Sequence, residues 1–241
     1  MSPPPSTDYS KVKQDLDHQA PGAIAAMFGR VACRYDLMNH IMGGGLDLYW
    51  RWRLVQAVRK QRPGRVLDIA TGSGDVLLAL ERHHAYTGCA IGADFCLPML
   101  QQAQAKRARN LLVGDGLGLP FADASFDAIT ISWGLRNFVD RLAGLREMRR
   151  VLRPGGRAYV LEFSHPAAWL APLYFWYLRK IMPLYAQFIT PERGAYEYLG
   201  DSIHAFPSQP ELAALMREAG FAQASWTNLS LGIAALHIAE V

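Results

Sequence analysis

A glycine-rich turn between a predicted strand and a predicted helix is the pattern with the clearest chemical meaning. Residues 66–75 read Val-Leu-Asp-Ile-Ala-Thr-Gly-Ser-Gly-Asp, and glycines at such a turn let the backbone approach a ligand closely. A dinucleotide-binding turn would carry a third glycine, but Leu77 stands at that position. Asp68 at the strand end suits a cationic ligand better than a phosphate. The candidate binding residues of this segment are Asp68, Gly72, Ser73 and Gly74.

Polar residues also follow three later strands of the predicted sheet. Asp94 ends one strand, where an acid can accept hydrogen bonds from ribose hydroxyls; Asp115-Gly116 follows the next, where adenine would lie; and Ser132 ends the fourth strand. Open α/β sheets bind ligands at the carboxyl ends of their strands. Together with the turn, these positions favour S-adenosylmethionine, whose methionyl end carries an ammonium and a sulfonium group. The alternative for each single residue is a helix cap or a turn.

The elements that must position these residues alternate between strand and helix. The predicted strands span residues 65–70, 88–94, 111–114, 126–132, 158–163, 224–229 and 233–239. The predicted helices span residues 75–84, 97–107, 139–152 and 210–219, and residues 22–52 are predicted to be helical with a break at 43–45. Pro154-Gly155-Gly156 is a stop and turn signal after the third of these helices. The pattern predicts an α/β fold, a mostly parallel open sheet with helices on both faces and an antiparallel C-terminal hairpin.

Composition narrows the class of protein. With 51% apolar residues in 241, the chain is expected to be globular. Three cysteines without metal-like spacing fit a reducing cytoplasm, and no metal site is expected. The N-terminus has no apolar core typical of a secretory signal, and no segment reaches the ~20 apolar residues of a membrane helix.

Basic residues are concentrated in two stretches. Residues 51–65 carry six basic residues and no acid, beside Trp50 and Trp52, and residues 136–157 carry seven arginines against two acids. Such stretches attract anionic lipid surfaces or phosphates; the alternative is a pair of solvated helix faces. The net charge of +4 is mild, so no nucleic-acid partner is expected.

Several segments taken together resemble the UbiE/MenG-type methyltransferases of ubiquinone and menaquinone biosynthesis. The resemblance covers residues 27–239. Residues matching the family's first signature are Tyr35, Asp36, Met38, Asn39, Met42 and Trp50. Other matching segments are residues 67–75, 134–138, 150–156, 162–164, 195–199 and 235–237. Gly43 and Asp47 stand where serine and histidine are usual, a departure that concerns the acceptor pocket.

The resemblance implies a class I, Rossmann-like methyltransferase that uses S-adenosylmethionine. It implies C-methylation of a reduced, prenylated quinone, either demethylmenaquinol or the methoxy-benzoquinol on the route to ubiquinone. Arg136, Asn137 and Tyr35 would then activate the acceptor. The implied organisation is a flexible tail (1–20) and a single domain (21–241), which includes an N-terminal helical cap (21–62) and a helical acceptor-site insertion (165–205).

Within that insertion, residues 169–188 carry apolar side chains at helical spacing on nearly all faces. They would form a wall for the prenyl tail and allow peripheral contact with the inner face of the membrane. The alternatives are buried core or the interface of a homodimer.

The sequence also allows other interpretations. Arg136 could form a surface salt bridge with Asp140, Tyr35 could be a core aromatic, and His237 could be a packed core histidine. The whole chain could methylate another phenol, a sterol or a natural product, or it could be a non-catalytic scaffold. A dehydrogenase is disfavoured by Leu77.

Overall fold

The computed structural model describes residues 45–82, 89–181 and 202–241, without the side chains of Arg179 and Ile181. Its helices are α1 (Leu46–Gln61), α2 (Asp75–Glu81), α3 (Leu97–Ala105), α4 (Arg141–Val151), α5 (Ala171–Trp176) and α6 (Gln209–Glu218). Its strands are β1 (Arg65–Ile69), β2 (Cys89–Asp94), β3 (Leu111–Val113), β4 (Phe126–Ser132), β5 (Leu152–Phe163), β6 (Gln223–Leu229) and β7 (Ala234–Glu240).

The strands form a seven-stranded sheet in the order β3-β2-β1-β4-β5-β7-β6. The first five are parallel, whereas β7 runs antiparallel to both β5 and β6. The predicted α/β class and the antiparallel C-terminal hairpin are confirmed. Because the chain moves outward from β1 to β3 and then returns to β4 on the other side of β1, the strand order reverses between β1 and β4. Ligands bind at such a switch point in open α/β sheets.

Successive residues of the strands point to opposite faces of the sheet and supply two apolar cores. Val66 of β1 belongs to the core beneath α1 and α2, and Leu67 and Ile69 belong to the core beneath α4 and α6. On β5, Tyr159 likewise belongs to the core beneath α1 and α2, and Val160 belongs to the core beneath α4 and α6. Both faces are therefore covered by helices, as the sequence predicts.

Pro154-Gly155-Gly156 stops the preceding helix as predicted, since α4 ends at Val151, but the predicted turn at these residues is wrong. Strand β5 begins at Leu152, directly after α4, and contains all three residues as a bulge: Leu152 pairs with Phe126, and the next pair joins Arg157 to Ala128. The C-terminal residue holds the bulge, since the Gly155 amide donates to the carbonyl of Val241 (3.2 Å) and the Val241 amide donates to Gly156 (3.0 Å). A pattern of neighbouring residues cannot predict a hydrogen-bond partner that is so distant in the sequence.

Several predicted element ends also shift. The helix expected over 139–152 begins at Arg141, because the Asp140 carboxylate accepts a hydrogen bond from the Ala143 amide (2.9 Å) and caps it. The helix expected over 75–84 ends at Glu81. From the helix expected over 169–188, the structure describes α5 and a π-helical turn, Tyr177–Ile181. The tail, Tyr35 and residues 21–44 of the predicted cap lie outside the described residues.

Candidate active site

A depression runs along the carboxyl ends of β1, β2, β3 and β4 and divides into three neighbouring lobes. The turn lobe, about 320 Å³, lies against the glycine turn; the middle lobe, about 460 Å³, lies at the end of β4; and the outer lobe, about 580 Å³, lies beside the loop after β3. Gly72, Ser132 and Trp133 line both the turn and middle lobes. Asp94, Asn137 and Phe138 line both the middle and outer lobes.

The glycine turn bends through three left-handed residues, Ala70 (φ 50°), Gly72 (φ 57°) and Gly74 (φ 82°). Gly74 is also required sterically, because a Cβ there would lie 2.9 Å from the Cβ of Ala103 on α3. The turn thus passes close to α3 before α2 begins at Asp75.

Asp68 supports this turn from beneath. It is 1% exposed, and its two carboxylate oxygens accept hydrogen bonds from the hydroxyls of Thr71 and Thr130, each at 2.6 Å. Burial raises its pKa to about 6, against the opposing effect of the two hydroxyls. Asp68 lines none of the three lobes. Its carboxylate therefore holds the backbone of the turn from below.

Asp94 does reach the depression, at the end of β2. One carboxylate oxygen accepts from the Gly72 amide and the other from the Cys96 amide, both at 2.8 Å. Burial raises its pKa, although these backbone hydrogen bonds lower it. A carboxylate oxygen has more than one lone pair, so Asp94 can fix the turn and still accept hydrogen bonds from a ligand.

The outer lobe depends on a close contact between a glycine and an aromatic ring. A Cβ at Gly116 would lie 2.4 Å from the Phe138 ring, and a Cβ at Gly144 on α4 would also lie 2.4 Å from it. Phe138 is thus held between two glycines and forms an apolar wall beside Asp115. The exposed Asp115 carboxylate accepts from the Leu117 amide (2.9 Å), which fixes the loop. This lobe suits a flat, apolar ring with polar edges.

Arg136 follows β4, but it is buried below the depression. Its Nη1 donates to the Glu162 carboxylate (2.9 Å) and to the carbonyl of Trp133 (2.8 Å). Burial raises the pKa of Glu162, and the guanidinium charge opposes that rise. The alternative of a surface salt bridge between Arg136 and Asp140 is wrong, because Arg136 is 5% exposed and pairs with Glu162 while Asp140 caps α4.

Arg51 and Trp50 correct the interpretation of the basic stretch at residues 51–65. The Arg51 guanidinium is buried, pairs with Asp75 and lines the turn lobe. It also lies over the Trp133 ring, 5.0 Å from the centroid. Trp50 is 1% exposed, and its indole donates to the Ser230 hydroxyl (2.9 Å). Neither side chain belongs to a lipid-facing surface.

The predicted site residues thus divide into three groups. Those that line the lobes are Gly72, Ser73, Asp94, Asp115, Gly116, Ser132 and Asn137. Those packed beneath the lobes are Asp68, Gly74 and Arg136. Tyr35 lies outside the described residues.

Sequence reasoning missed other lining residues: Arg51, Phe95, Met99, Trp133, Phe138 and Val139. Three of them could have been found from the sequence, because each directly follows a predicted site residue: Phe95, Trp133 and Phe138. Arg51 could not have been found in this way, because it comes from a helix that precedes the whole sheet.

His237 lies apart from these lobes. It is 2% exposed, and burial lowers its pKa to about 4. Its ring contacts the carbonyl of Gln209 (3.0 Å) and stacks on Trp226. His237 is therefore a neutral core histidine near neutral pH. Within the described ranges, no group of three or more His, Cys, Asp or Glu side chains is placed to hold a metal ion.

Comparison with known proteins assigns the chain to a family. Residues 13–240 match the model of the ubiE/COQ5 methyltransferase family. The chain is 44% identical over 226 residues to the demethylmenaquinone methyltransferase of Corynebacterium kroppenstedtii, covering 91% of this chain and 94% of that protein. It is 43% identical over 220 residues to the enzyme of the same name from Thermus thermophilus, covering 89% and 99%.

Solved structures agree on the fold. A SAM-dependent methyltransferase from Thermotoga maritima superposes with a TM-score of 0.66 at 22% identity, covering 89% of this chain and 98% of that one. Another from Aquifex aeolicus gives 0.53 at 17% identity, covering 77% and 88%. Sequence and fold together show that the chain belongs to the ubiE/COQ5 methyltransferase family and has the architecture of a class I, SAM-dependent methyltransferase.

Proposed function

We propose that this methyltransferase moves a methyl group from S-adenosylmethionine to a ring carbon of a prenylated quinol, converting demethylmenaquinol to menaquinol. The observation that carries the proposal is the 43–45% identity to demethylmenaquinone methyltransferases over 94–99% of their length. The methoxy-benzoquinol of ubiquinone synthesis is the second candidate acceptor, supported by the family match.

The three lobes fit the parts of the cofactor. The turn lobe, with Gly72, Ser73 and Ser132, suits the methionyl group. Asp94 is a buried acid placed to accept hydrogen bonds from ribose hydroxyls. The outer lobe offers the Phe138 ring and the loop at Asp115-Gly116 for adenine. Asp68 and Gly74 would act indirectly, by holding the turn in shape.

The Arg51–Asp75 ion pair at the turn lobe gives that lobe one charge of each sign. A methionyl group also carries one charge of each sign, an ammonium and a carboxylate. The paired charges of the lobe therefore complement those of the ligand.

When bound, the cofactor supplies an electrophilic methyl group on a sulfonium. The residues of this chain must orient the acceptor and make its ring carbon nucleophilic, and positioning can contribute roughly 7–11 kcal/mol. Asn137, which lines the middle and outer lobes, would hold an acceptor oxygen. Arg136 stays protonated and would stabilise negative charge on that oxygen from beneath, while Tyr35 or a water would relay the proton.

The acceptor would enter between the predicted cap (21–62) and insertion (165–205). Trp50 of α1, Leu178 and Trp133 belong to one apolar cluster, which supports an arrangement in which both segments meet near the end of β4. On α5 and just before it, Trp169, Leu173 and Trp176 are 72%, 60% and 53% exposed. We propose that these side chains face the prenyl tail or the bilayer; a homodimer contact is the alternative.

No helix among the described residues is long and apolar enough to cross a membrane. We propose that the enzyme works in the cytoplasm and reaches its lipid-soluble acceptor through peripheral contact with the inner face of the membrane. The exposed basic residues Lys60, Arg62 and Arg65 support this proposal through their attraction to anionic lipid.

The proposal is tested by an anaerobic assay of methyl transfer from S-adenosylmethionine, with acceptors kept reduced. A prenylated demethylnaphthoquinol, the methoxy-benzoquinol and a simple phenol are compared at equal concentration. We expect the naphthoquinol to be methylated on carbon at the highest kcat/KM. A preference for the phenol, or methylation on oxygen, would contradict the proposal. Calorimetry should show binding of S-adenosylmethionine and none of NAD.

A further inference from the structure

Trp133 occupies the point where the turn lobe meets the middle lobe. It follows Ser132 at the end of β4, lines both lobes and is 5% exposed. Its backbone is left-handed, with φ 54°, a conformation that costs energy in a bulky residue. Strain of this kind is concentrated at functional sites.

The orientation of the Trp133 ring is fixed on several sides. The rings of Trp50 and Phe163 lie 6.5 and 6.0 Å from it, centroid to centroid, and the Arg51 guanidinium lies over its face. Its own carbonyl accepts from Arg136 Nη1 (2.8 Å). The indole therefore presents its N–H in one direction without further rearrangement.

The N–H of the Trp133 indole is buried, and none of the residues that the structure describes accepts a hydrogen bond from it, although buried donors are nearly always paired. An indole N–H donates only and cannot accept. Trp50, by contrast, uses its indole to donate to Ser230. We therefore look for the acceptor of the Trp133 N–H among the molecules that bind in the two lobes that this residue lines.

We propose that Trp133 Nε1–H donates a hydrogen bond to the acceptor oxygen next to the ring carbon that is methylated. The inference rests on the proposed function: with the methionyl group in the turn lobe and ribose in the middle lobe, the transferable methyl lies where the two lobes meet, beside Trp133. The acceptor carbon must come to the same point, and its neighbouring oxygen comes with it.

The chemistry gives that hydrogen bond a purpose. The ring carbon forms a bond to the methyl, the bond between methyl and sulfur breaks with its electron pair left on sulfur, and the ring releases one proton to solvent. Negative charge builds on the neighbouring oxygen as the ring becomes nucleophilic. A fixed donor aimed at that charge accelerates the step, because it needs no reorganisation.

Trp133→Phe is the direct test. It keeps an aromatic ring and the same backbone strain, and it removes the N–H. We expect kcat for the quinol to fall by at least about 10-fold, in line with the loss of one charge-stabilising donor. The Kd for S-adenosylmethionine should stay within about twofold. Trp226→Phe, at the exposed edge strand, is the matched control and should leave both quantities unchanged.

A second measurement does not depend on turnover. In protein labelled with ¹⁵N at indole nitrogens, the Trp133 signal is assigned by its disappearance in Trp133→Phe. Adding S-adenosylhomocysteine and a short-chain reduced naphthoquinol should move this signal downfield, beyond any shift caused by S-adenosylhomocysteine alone. The Trp226 signal should not move.

The outcomes separate the inference from the function on which it rests. If the wild type methylates the quinol, and Trp133→Phe has unchanged kcat and the Trp133 signal does not move, the indole is only a packing residue. If Trp133→Phe is too unstable to assay, the Trp133 signal is assigned by elimination, from variants that replace each of the other five tryptophans by phenylalanine, and its movement in the wild type decides. If the wild type methylates no quinol, the proposed function and this inference are both overturned.

Discussion

At the scale of single residues, the end of β4 concentrates buried charge. Arg136 pairs with Glu162 (2.9 Å), and Arg51 pairs with Asp75 close by. Removing one partner of a buried pair is costly because it leaves a charge uncompensated, whereas the intact pair adds little to stability. The placement beside the lobes therefore points to a role in positioning charge for the reaction.

Arg136→Lys should lower kcat on the order of 10²-fold, because lysine keeps the charge but loses the planar guanidinium whose Nη1 donates to both Glu162 and the Trp133 carbonyl. Affinity for S-adenosylmethionine should stay within a few-fold, since Arg136 lines none of the lobes. Steady-state kinetics and calorimetry measure the two quantities.

The control for this substitution is Arg157→Lys, which alters an ion pair with Glu240 at the far side of β5. It should leave kcat unchanged. Full turnover in Arg136→Lys would show that the Arg136–Glu162 pair serves only packing, and the assignment of Arg136 to the reaction would then be wrong.

Asp94→Ala should weaken binding of S-adenosylhomocysteine by roughly 1–3 kcal/mol, the cost of leaving polar groups unpaired. Two losses contribute, the ribose contacts and the hydrogen bond that holds the Gly72 amide. Calorimetry measures the change. Asp127→Ala, at the opposite end of β4 where Asp127 pairs with Arg153, should leave affinity unaltered. Equal affinities in the two variants would mean that Asp94 acts only as a turn support.

At the scale of elements, sequence patterns located the strands better than the connections between them. All seven strands were predictable because apolar runs with β-branched residues recur between turn signals. Because strands are short, their positions along the chain could be predicted closely. The Pro-Gly-Gly bulge was not predictable, because its partner is Val241, which follows the neighbouring strand β7 and is far from the bulge in the sequence. The start of α4 depends on the Asp140 side chain, which the periodicity of apolar residues does not reveal.

The shape of the outer lobe also depends on a contact between two elements. The loop at Gly116 and helix α4 contact opposite sides of the Phe138 ring. In Gly116→Ala the new Cβ would lie 2.4 Å from that ring, so the ring must move. We expect a loss of about 1–3 kcal/mol in the free energy of unfolding, together with weaker cofactor binding. Chemical denaturation and calorimetry measure the two effects.

Gly118→Ala is the matched control, because a Cβ there meets nothing within 4 Å. It should change stability by no more than about 0.5 kcal/mol. Adding Phe138→Leu to Gly116→Ala should recover part of the loss, since the smaller side chain yields space. If Gly116→Ala is as stable as Gly118→Ala, the glycine is not required by the ring.

At the scale of the whole molecule, the parallel sheet makes the site. Residues from Arg51 to Val139 line one depression because the carboxyl ends of β1 to β4 meet at one edge. Sequence could predict the residues at strand ends, since this edge follows from the topology. It could not predict Arg51, whose helix packs across the sheet, or that Asp68, Gly74 and Arg136 lie beneath the surface, because depth depends on tertiary packing.

Two exposed surfaces bear on how the molecule meets a membrane. One is basic, with Lys60 and Arg62 at the end of α1 and Arg65 at the start of β1; the other is apolar, with Trp169 and Trp176. Attraction of basic residues to anionic lipid is screened by salt, whereas insertion of indole rings is not. The two contributions can therefore be separated by ionic strength.

Flotation with vesicles of phosphatidylglycerol and phosphatidylcholine should show binding at low salt that decreases at high salt. Lys60→Glu with Arg62→Glu should remove most of the salt-dependent part, each charge being worth about 1 kcal/mol near an anionic surface. Trp169→Ser with Trp176→Ser should lower binding at both salt concentrations, because these side chains are 72% and 53% exposed and would enter the lipid. Arg146→Glu, at an exposed position of α4 on the opposite face of the sheet from α1, is the charge control and should bind like the wild type. If the protein binds vesicles at neither salt concentration, peripheral association is contradicted. If the control loses as much binding as Lys60→Glu with Arg62→Glu, the salt-dependent binding depends on net charge alone.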